Sequence, residues 1–523
     1  MPCFLLRSAA LLGLLLVASD LPAQNGRYVA PERLGSAGEG VDVTSELQSL
    51  IDRCSAAGGG TVFVPPGDYR IGTLLLRDNT FLELSTGATL YGSTDIKDYA
   101  EIGASGITAL VGSAGAKNVG ILGQGTINGH GDAFWRGKKR PYTRPDRLVL
   151  LFRSEDIKLR DVTITNSPNW CVDVRECNRA WIDGVTILNE RNSPNTDGID
   201  PVSSSNVLIS NCYIDTGDDA ICPKTRGPRP LENLVVTNCV LRSDDSAIKL
   251  GTRSDSDIRN AAFSNIVIRD TQYGIAMFAK DGGAFENIRF QGIHVETTRA
   301  RDPSRLNRRE TYPIFVDVEK RDADSKVGGV RGVVFSDITI DSLEGACLFL
   351  GQPESRLQDL RLTNIEFTLH HRNPMADNRK PRGTRSLQDK ASNDFSTEAA
   401  SFVFAHVDGL DLSGLRYSDR SECADHERQI VWGRDVHNVS VRDLSTRHAQ
   451  PNQRMPALRF EEASAIAVVS CLPGPSATVF VEVDANTERV SLLGNDVTRV
   501  AGLYHADRGF DAEQIRVRHN LGH

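Results

Sequence analysis

A four-residue strand motif returns along the middle of this chain at a nearly constant interval, and no other feature narrows the possible folds as much. Asp161-Val162-Thr163-Ile164, Gly184-Val185-Thr186-Ile187, Asn211-Cys212-Tyr213-Ile214, Asn238-Cys239-Val240-Leu241, Asn265-Ile266-Val267-Ile268 and Gly292-Ile293-His294-Val295 are copies of one unit. Their second positions, 162, 185, 212, 239, 266 and 293, step by 23 and then four times by 27 residues. Asp337-Ile338-Thr339-Ile340 and Asn364-Ile365-Glu366-Phe367 resume the series, again 27 apart. The step of 45 between Ile293 and Ile338 implies an inserted loop carrying the Arg-rich stretch from Arg299 to Arg309. A length of 523 residues would ordinarily suggest several domains, but a repeat lengthens one continuous core instead.

Within each unit, short alternating or β-branched strands are separated by Asn, Asp, Gly and Ser, which supply turns without long loops. Ankyrin and tetratricopeptide units would need two amphipathic helices each, and the 3.6-residue period is missing. The fixed Leu and Asn ladder of leucine-rich repeats is not seen either. A parallel β-helix is the economical solution: an all-β solenoid in which each coil lays about three short strands on those of the coil before, about 4.8 Å apart. Val185, Cys212, Cys239, Ile266 and Ile293 then form one inward ladder, with the cysteines as small core residues. Near the N-terminus, Ser45-x-x-Gln48 reads as the capping box of a helix that puts Leu47, Leu50, Ile51 and Cys54 on one face and ends at Gly58-Gly59-Gly60. Such a helix covers the open end of the coil stack. Beyond residue 370 the pattern weakens through a polar loop near 371–393, which includes Arg379-Lys380-Pro381-Arg382. Gly409-Leu410-Asp411-Leu412 and Asn438-Val439-Ser440-Val441 predict further coils instead of a second domain.

Arg7, the apolar run from Ala9 to Ala18 and Leu21-Pro22-Ala23 predict a secretory signal peptide over residues 1–23, with the β-helix occupying 24–523. The mature protein is then expected to be secreted or periplasmic, monomeric and free of the membrane. A net charge of -8 excludes a globally basic nucleic-acid binder. Ten cysteines without paired metal spacing favour buried free thiols, although Cys171 and Cys177 are close enough in sequence for a local bridge.

Three successive coils align Asn195-Thr196-Asp197-Gly198-Ile199, Gly217-Asp218-Asp219-Ala220-Ile221 and Asp244-Asp245-Ser246-Ala247-Ile248. In that register Asp197, Asp219 and Ser246 stack, with Asp218 and Asp245 beside them, and no Lys or Arg is evident in the same register to compensate. Such carboxyls cannot all ionise cheaply, so at least one is expected to hold its proton near neutral pH. A protonated acid beside ionised partners is what glycosidic cleavage requires. Asp residues also fill turns, and oxygen-rich clusters also bind calcium; three aligned acidic coils favour the catalytic reading, with a calcium site as the third possibility.

The segments Asn195-Thr196-Asp197-Gly198-Ile199-Asp200 and Gly217-Asp218-Asp219-Ala220-Ile221 resemble the signature of the polygalacturonase-like glycoside hydrolases of family 28. The resemblance extends through Gly58–Pro65, Gly123–Gly129 and Asn166-Ser167-Pro168-Asn169-Trp170, and covers roughly residues 35 to 370. It implies a right-handed parallel β-helix that hydrolyses α-linked, pectin-type polysaccharides with inversion and without a metal. By the same resemblance Asp219 is the general acid, while Asp197 and Asp218 hold and deprotonate the attacking water.

Two departures bear on substrate. Where the family places Gly-His-Gly, this chain has Asp245-Ser246-Ala247, so Asp245 is expected to raise the pKa of Asp219 or accept its proton. Where the family has the Arg-Ile-Lys that grips a uronate, this chain has Ala276-Met277-Phe278, which favours a neutral or deoxy sugar beside the scissile bond, as in rhamnose-containing pectin. Asn195, Asp245, Ser246, Lys249, Tyr273, Lys280 and Trp170 are the candidate substrate-binding residues, with Tyr273 and Trp170 as sugar platforms. Arg136, Lys138, Lys139, Arg140, Arg144 and Arg147 are placed to steer an anionic chain. The rival readings are a β-helix lyase, which abstracts a proton with a Lys or Arg base, and a non-catalytic carbohydrate-binding β-helix.

Overall fold

The computed structural model describes residues 27–29, 41–298, 311–343, 345–370, 400–420, 428–448 and 455–522. The expected leader at 1–23, the Arg299–Arg309 insertion and the polar loop at 371–393 lie outside the described residues. Through the middle of the chain each turn lays down three strands. Trp170–Arg175, Asn178–Asp183 and Thr186–Leu188 are followed one turn later by Ile199–Val202, Ser205–Ser210 and Tyr213–Thr216. Equivalent strands pair in parallel, Val172 with Ile199, Ala180 with Val207 and Ile187 with Ile214. Repetition winds the chain into a single right-handed parallel β-helix. Parallel pairing extends through Ala400–Ser413 and Gln429–Arg442, where Leu410 stands opposite Val439, and on to Ile515–Arg518. The sheet that contains Trp170–Arg175 and Ile199–Val202 is called the site sheet below.

Inside the coil, side chains stack in columns because every rung repeats the register of the last. Val185, Cys212, Cys239, Ile266, Ile293 and Ile338 form one such buried column. Phe263, Phe290 and Phe335 form another, with ring centroids 4.9 and 5.0 Å apart, close to the strand spacing itself. The eight described cysteines, Cys171 and Cys177 among them, are free and buried.

Asparagines make the corners. Asn211, Asn238 and Asn265 all have φ between +53° and +56°, a region Asn tolerates better than most residues. Their amides run as a ladder: Asn211 donates to Asp183 at 2.7 Å, Asn238 to Asn211 at 3.3 Å and Asn265 to Asn238 at 2.7 Å. A second ladder joins Asn206, Asn233, Asn260 and Asn287.

The helix Thr44–Ala56 buries Leu47, Leu50, Ile51 and Cys54 over the first rungs. Its start is not the expected Ser45/Gln48 box. Asp42 Oδ1 accepts from the Thr44 N–H at 3.0 Å, and the Gln48 amide is drawn away to both backbone groups of Leu75, at 3.0 and 2.8 Å. Docking the helix on the coil is a better use of that amide than capping its own first turn.

Asn238→Ala removes both the ladder bonds and the side chain suited to φ +56°, and is expected to cost about 2 kcal/mol. Asn238→Gly keeps the backbone freedom and should fall between that variant and wild type. Denaturant midpoints of the three proteins check this; equal stability of the Ala and Gly variants would remove the conformational half of the account.

Candidate active site

One column of the site sheet changes character from rung to rung. Arg147 pairs with Trp170, and Asp197, Asp219 and Ser246 follow in the register fixed by the bridges Ile199–Ile221 and Ile221–Ile248. Ser246 then pairs with Tyr273 and Tyr273 with Tyr312. The glycines beside the acids are there for space: a Cβ on Gly198 would lie 2.4 Å from the carbonyl oxygen of Ala220, and one on Gly217 2.4 Å from that of Ser193. Hydroxyls of Thr216 and Ser243 both donate to the Asp218 carbonyl, at 2.5 and 2.7 Å, and fix the turn that presents the acid pair.

Asp218, Asp219 and Asp245 each bring a carboxylate oxygen within 4.8 Å of the other two, and Asp197, Asp200 and Cys222 do the same with their ligand atoms. Contrary to the sequence expectation, each group contains a cation. Lys224 donates to Asp197 Oδ2 at 2.9 Å and also to Asp200 Oδ1, and Lys249 donates to Asp219 Oδ2 at 2.8 Å. Calcium takes six to eight oxygen ligands; here an ammonium already donates to a carboxylate of each group, and one group counts a thiol among its three members.

Two ammoniums cannot neutralise five carboxylates, so protons are retained. Burial drives the Asp219 carboxyl up to about 7, opposed by Lys249 and reinforced by Asp218, Asp245 and Asp197. Burial likewise drives Asp197 to about 7 against Lys224, with Asp200 and Asp218 adding to it. Asp200 is pushed up to about 6 by burial, which outweighs Lys224. Asp245 is therefore one contributor to the state of Asp219, behind burial and Asp218. The Oδ1 of Asp219 is buried without a hydrogen-bond partner, while Oδ2 takes Lys249 and, at 3.4 Å, the Cys222 thiol.

The other predicted residues separate into those at this cluster and those elsewhere. Asn195, at φ +55°, is exposed; it accepts from Arg144 at 2.8 Å and donates to Asp218 Oδ2 at 3.5 Å. Asp245 is half-buried, and Ser246, fully buried, donates to its Oδ1 at 3.0 Å, which corrects the placing of Ser246 as a substrate contact. Trp170 is half-buried at the edge of the cluster. Lys249 is the partner of Asp219 and not a free substrate-binding cation. Lys280 is buried in an ion pair with Glu319 at 2.9 Å, so it cannot grip a sugar acid. Tyr273 is also corrected: it is buried between Phe278, Tyr312 and Phe315, with Tyr312 stacked at 5.4 Å, and offers no open face to a sugar. Met277 points into the coil and Phe278 packs in that outer aromatic cluster.

Lys224, Asp200 and Asp173 were missed by sequence reasoning. Asp200 stood inside the motif that marked Asp197, and Lys224 stands five residues past Asp219; the rung that carries Lys224 lacks a regular strand, so no repeat phase pointed to it. Of the edge cations, Arg136 pairs with Glu190 and Asp132, whereas Arg144 reaches the backbone carbonyls of Pro168 and Pro194 and the Asn195 side chain.

The sequence profile of Glycosyl hydrolases family 28 matches residues 54–352, more than half of the chain. A probable polygalacturonase of Vitis vinifera is 34% identical over 211 residues, 36% of this chain and 43% of that protein. An endo-polygalacturonase of Pectobacterium carotovorum subsp. carotovorum is 30% identical over 213 residues, 35% of this chain and 51% of that protein. The solved family 28 exopolygalacturonase of Yersinia enterocolitica has the same fold, with a TM-score of 0.56 at 16% identity over 80% of this chain and 77% of that one. The chain spans about half the length of the curated relatives it matches.

Lys224→Met leaves Asp197 and Asp200 buried without their shared cation and is expected to cost about 3–5 kcal/mol of stability. Adding Asp200→Asn should recover part of that loss, a coupling that denaturant unfolding of the double-mutant cycle measures. Additive losses would mean that the two side chains do not act as a pair.

Proposed function

The chain belongs to glycosyl hydrolases family 28, and from that membership we propose that it hydrolyses α-glycosidic bonds of pectin-type polysaccharides, with Asp219 as proton donor and Asp197 and Asp218 holding the attacking water. The observation that carries this reading is the division of labour on Asp219. Lys249 donates to Oδ2 while burial and the neighbouring Asp218 raise the carboxyl to about 7, so that Asp219 has a proton to give near neutral pH. Asp218 accepts from the Asp219 N–H on Oδ1 and from Asn195 on Oδ2, which orients it toward the same space.

The reaction then runs as a single displacement. Water oxygen attacks the anomeric carbon from one face, its proton passes to the carboxylate of Asp197 or Asp218, and the Asp219 proton goes to the leaving glycosidic oxygen as that C–O bond breaks. The configuration at the anomeric carbon inverts. A lyase reading needs a neutral Lys or Arg base. Lys224 and Lys249 are poor candidates, since their carboxylate partners outweigh burial and hold both well above the ordinary lysine value. Export of a single-domain, monomeric β-helix is the setting we propose, on the strength of Arg7 and the apolar run that follows it.

Purified protein incubated with homogalacturonan and rhamnogalacturonan should release reducing ends without new ultraviolet absorbance, and proton NMR of the first product should show the inverted anomer. Ultraviolet-absorbing product would establish the lyase instead. Asp219→Asn should lower kcat by about 10²–10⁴-fold.

Because the donor must be protonated, kcat/KM should fall as pH rises through about 7. Lys249 lowers the Asp219 pKa, so Lys249→Met should move that alkaline limb to higher pH while lowering kcat, and Lys249→Arg should restore the position of the limb. A limb unmoved by Lys249→Met would detach the lysine from the acid.

A further inference from the structure

On the N-terminal side of the acids the column continues through Trp170 and Arg147, and around that indole the charges stop balancing. The guanidinium of Arg147 lies 3.8 Å from the ring centroid, the Lys224 ammonium 4.0 Å and the Arg226 guanidinium 5.9 Å. Lys224 is committed to Asp197 and Asp200. Arg147 and Arg175 both donate to one oxygen of the buried Asp173, Oδ2, at 2.7 and 2.6 Å. Arg226 is exposed and has no carboxylate partner among the described residues. Two guanidiniums thus share one carboxylate, and the third has none.

The backbone at Arg226 is fixed. Its N–H donates to Ser203 Oγ at 2.9 Å and its carbonyl accepts from the same hydroxyl at 3.2 Å, so the guanidinium projects from an anchored turn. Desolvation, and then the like charges of Arg175 and Arg147, hold it below the ordinary arginine value. Trp170 stands two rungs from Asp219, about 10 Å along the solenoid. On the opposite side, the positions where the family carries its uronate-gripping cations hold buried Ala276 and Phe278.

We propose that Arg226, backed by Arg175 and Arg147 and walled by Trp170, binds a carboxylate of the sugar chain on the N-terminal side of Asp219. Carboxylate recognition has moved across the scissile bond instead of disappearing. The planar guanidinium fork matches a carboxylate in two hydrogen bonds, while the indole, already covered by Arg147 and Lys224, walls the site. The substrate class that follows is a chain with a uronate on this side and no demand for one on the other. This assignment rests on the polysaccharide hydrolase reading above for its ligand but not for its test.

The test measures binding, by calorimetry, of a galacturonate pentamer and of its methyl ester to the full-length Asp219→Asn protein. The acid should bind at least about tenfold tighter than the ester, the scale of a charge-assisted hydrogen-bond pair. Arg226→Gln in the same background should reduce that preference to within about twofold, and Arg226→Lys should restore only part of it. The preference for the acid should also weaken as salt is raised. Equal loss for acid and ester, or an undiminished preference in Arg226→Gln, would overturn the assignment. Turnover assays on wild type separate the two claims: discrimination by Arg226 without turnover condemns the hydrolase reading alone, and turnover with indifference to Arg226 condemns the carboxylate site alone.

Discussion

Parallel in-register stacking is the constraint on which the rest of this molecule depends. Once each rung repeats the phase of its neighbour, every outward position becomes a column whose members stand about one strand spacing apart, whatever their chemistry. Apolar columns gain from this, as the Phe263–Phe290–Phe335 stack does. Acidic columns lose, since Asp197 and Asp219 are brought together by the same backbone bonds that pair Ile199 with Ile221. The fold cannot relax that repulsion without breaking the register, so it is relieved in two other ways: by the ammoniums of Lys224 and Lys249, and by protons kept on carboxyls that burial already disfavours as anions. The proton donor proposed for this site is that second kind of relief.

What the sequence disclosed and what it hid divide along this line. The 27-residue step placed Cys212, Cys239, Ile266 and Ile293 in one column, and the aligned acidic triplets placed Asp197, Asp219 and Ser246 in another, because both follow from phase alone. Contacts that cross phase were hidden. Lys280 meets Glu319 across the rung lengthened by the insertion, so the two are 39 residues apart and not 27. Lys224 belongs to a rung without a regular strand and reaches back to Asp197, 27 residues earlier, and Asp200, 24 earlier. The Ser45/Gln48 box failed for a related reason: a tertiary partner, the Leu75 backbone, competed for the amide.

The two lysines also separate the chemistries that a β-helix can host. A free lysine on a sugar-binding face is a candidate base for proton abstraction, whereas a lysine donating to a carboxylate is spent as a charge. Lys224 bridges two acids and Lys249 holds one oxygen of a third, so the proton inventory of the site lies with its carboxyls. This is also why Asp219 is better understood through its two oxygens than through its average charge. One accepts from Lys249, and the other is buried without a hydrogen-bond partner.

The position of the site along the solenoid follows from a neighbouring outward column of the same sheet. Reading from the N-terminal side, that column runs Leu150, Asp173, Asp200, Cys222, Lys249, Ala276, Phe315 and Leu348. Its ends are apolar and buried, and its middle is charged. A charged side chain on a buried column is costly unless a neighbour of opposite sign stands within reach, and here the neighbours come from the adjoining columns: Arg147 and Arg175 for Asp173, Lys224 for Asp200, Asp219 for Lys249. The charged window is therefore self-consistent only as a block. Converting one rung to the apolar chemistry of Ala276 or Leu150 would strand its partner, which is why polar chemistry begins and ends abruptly along a wall whose backbone is nearly the same at every rung.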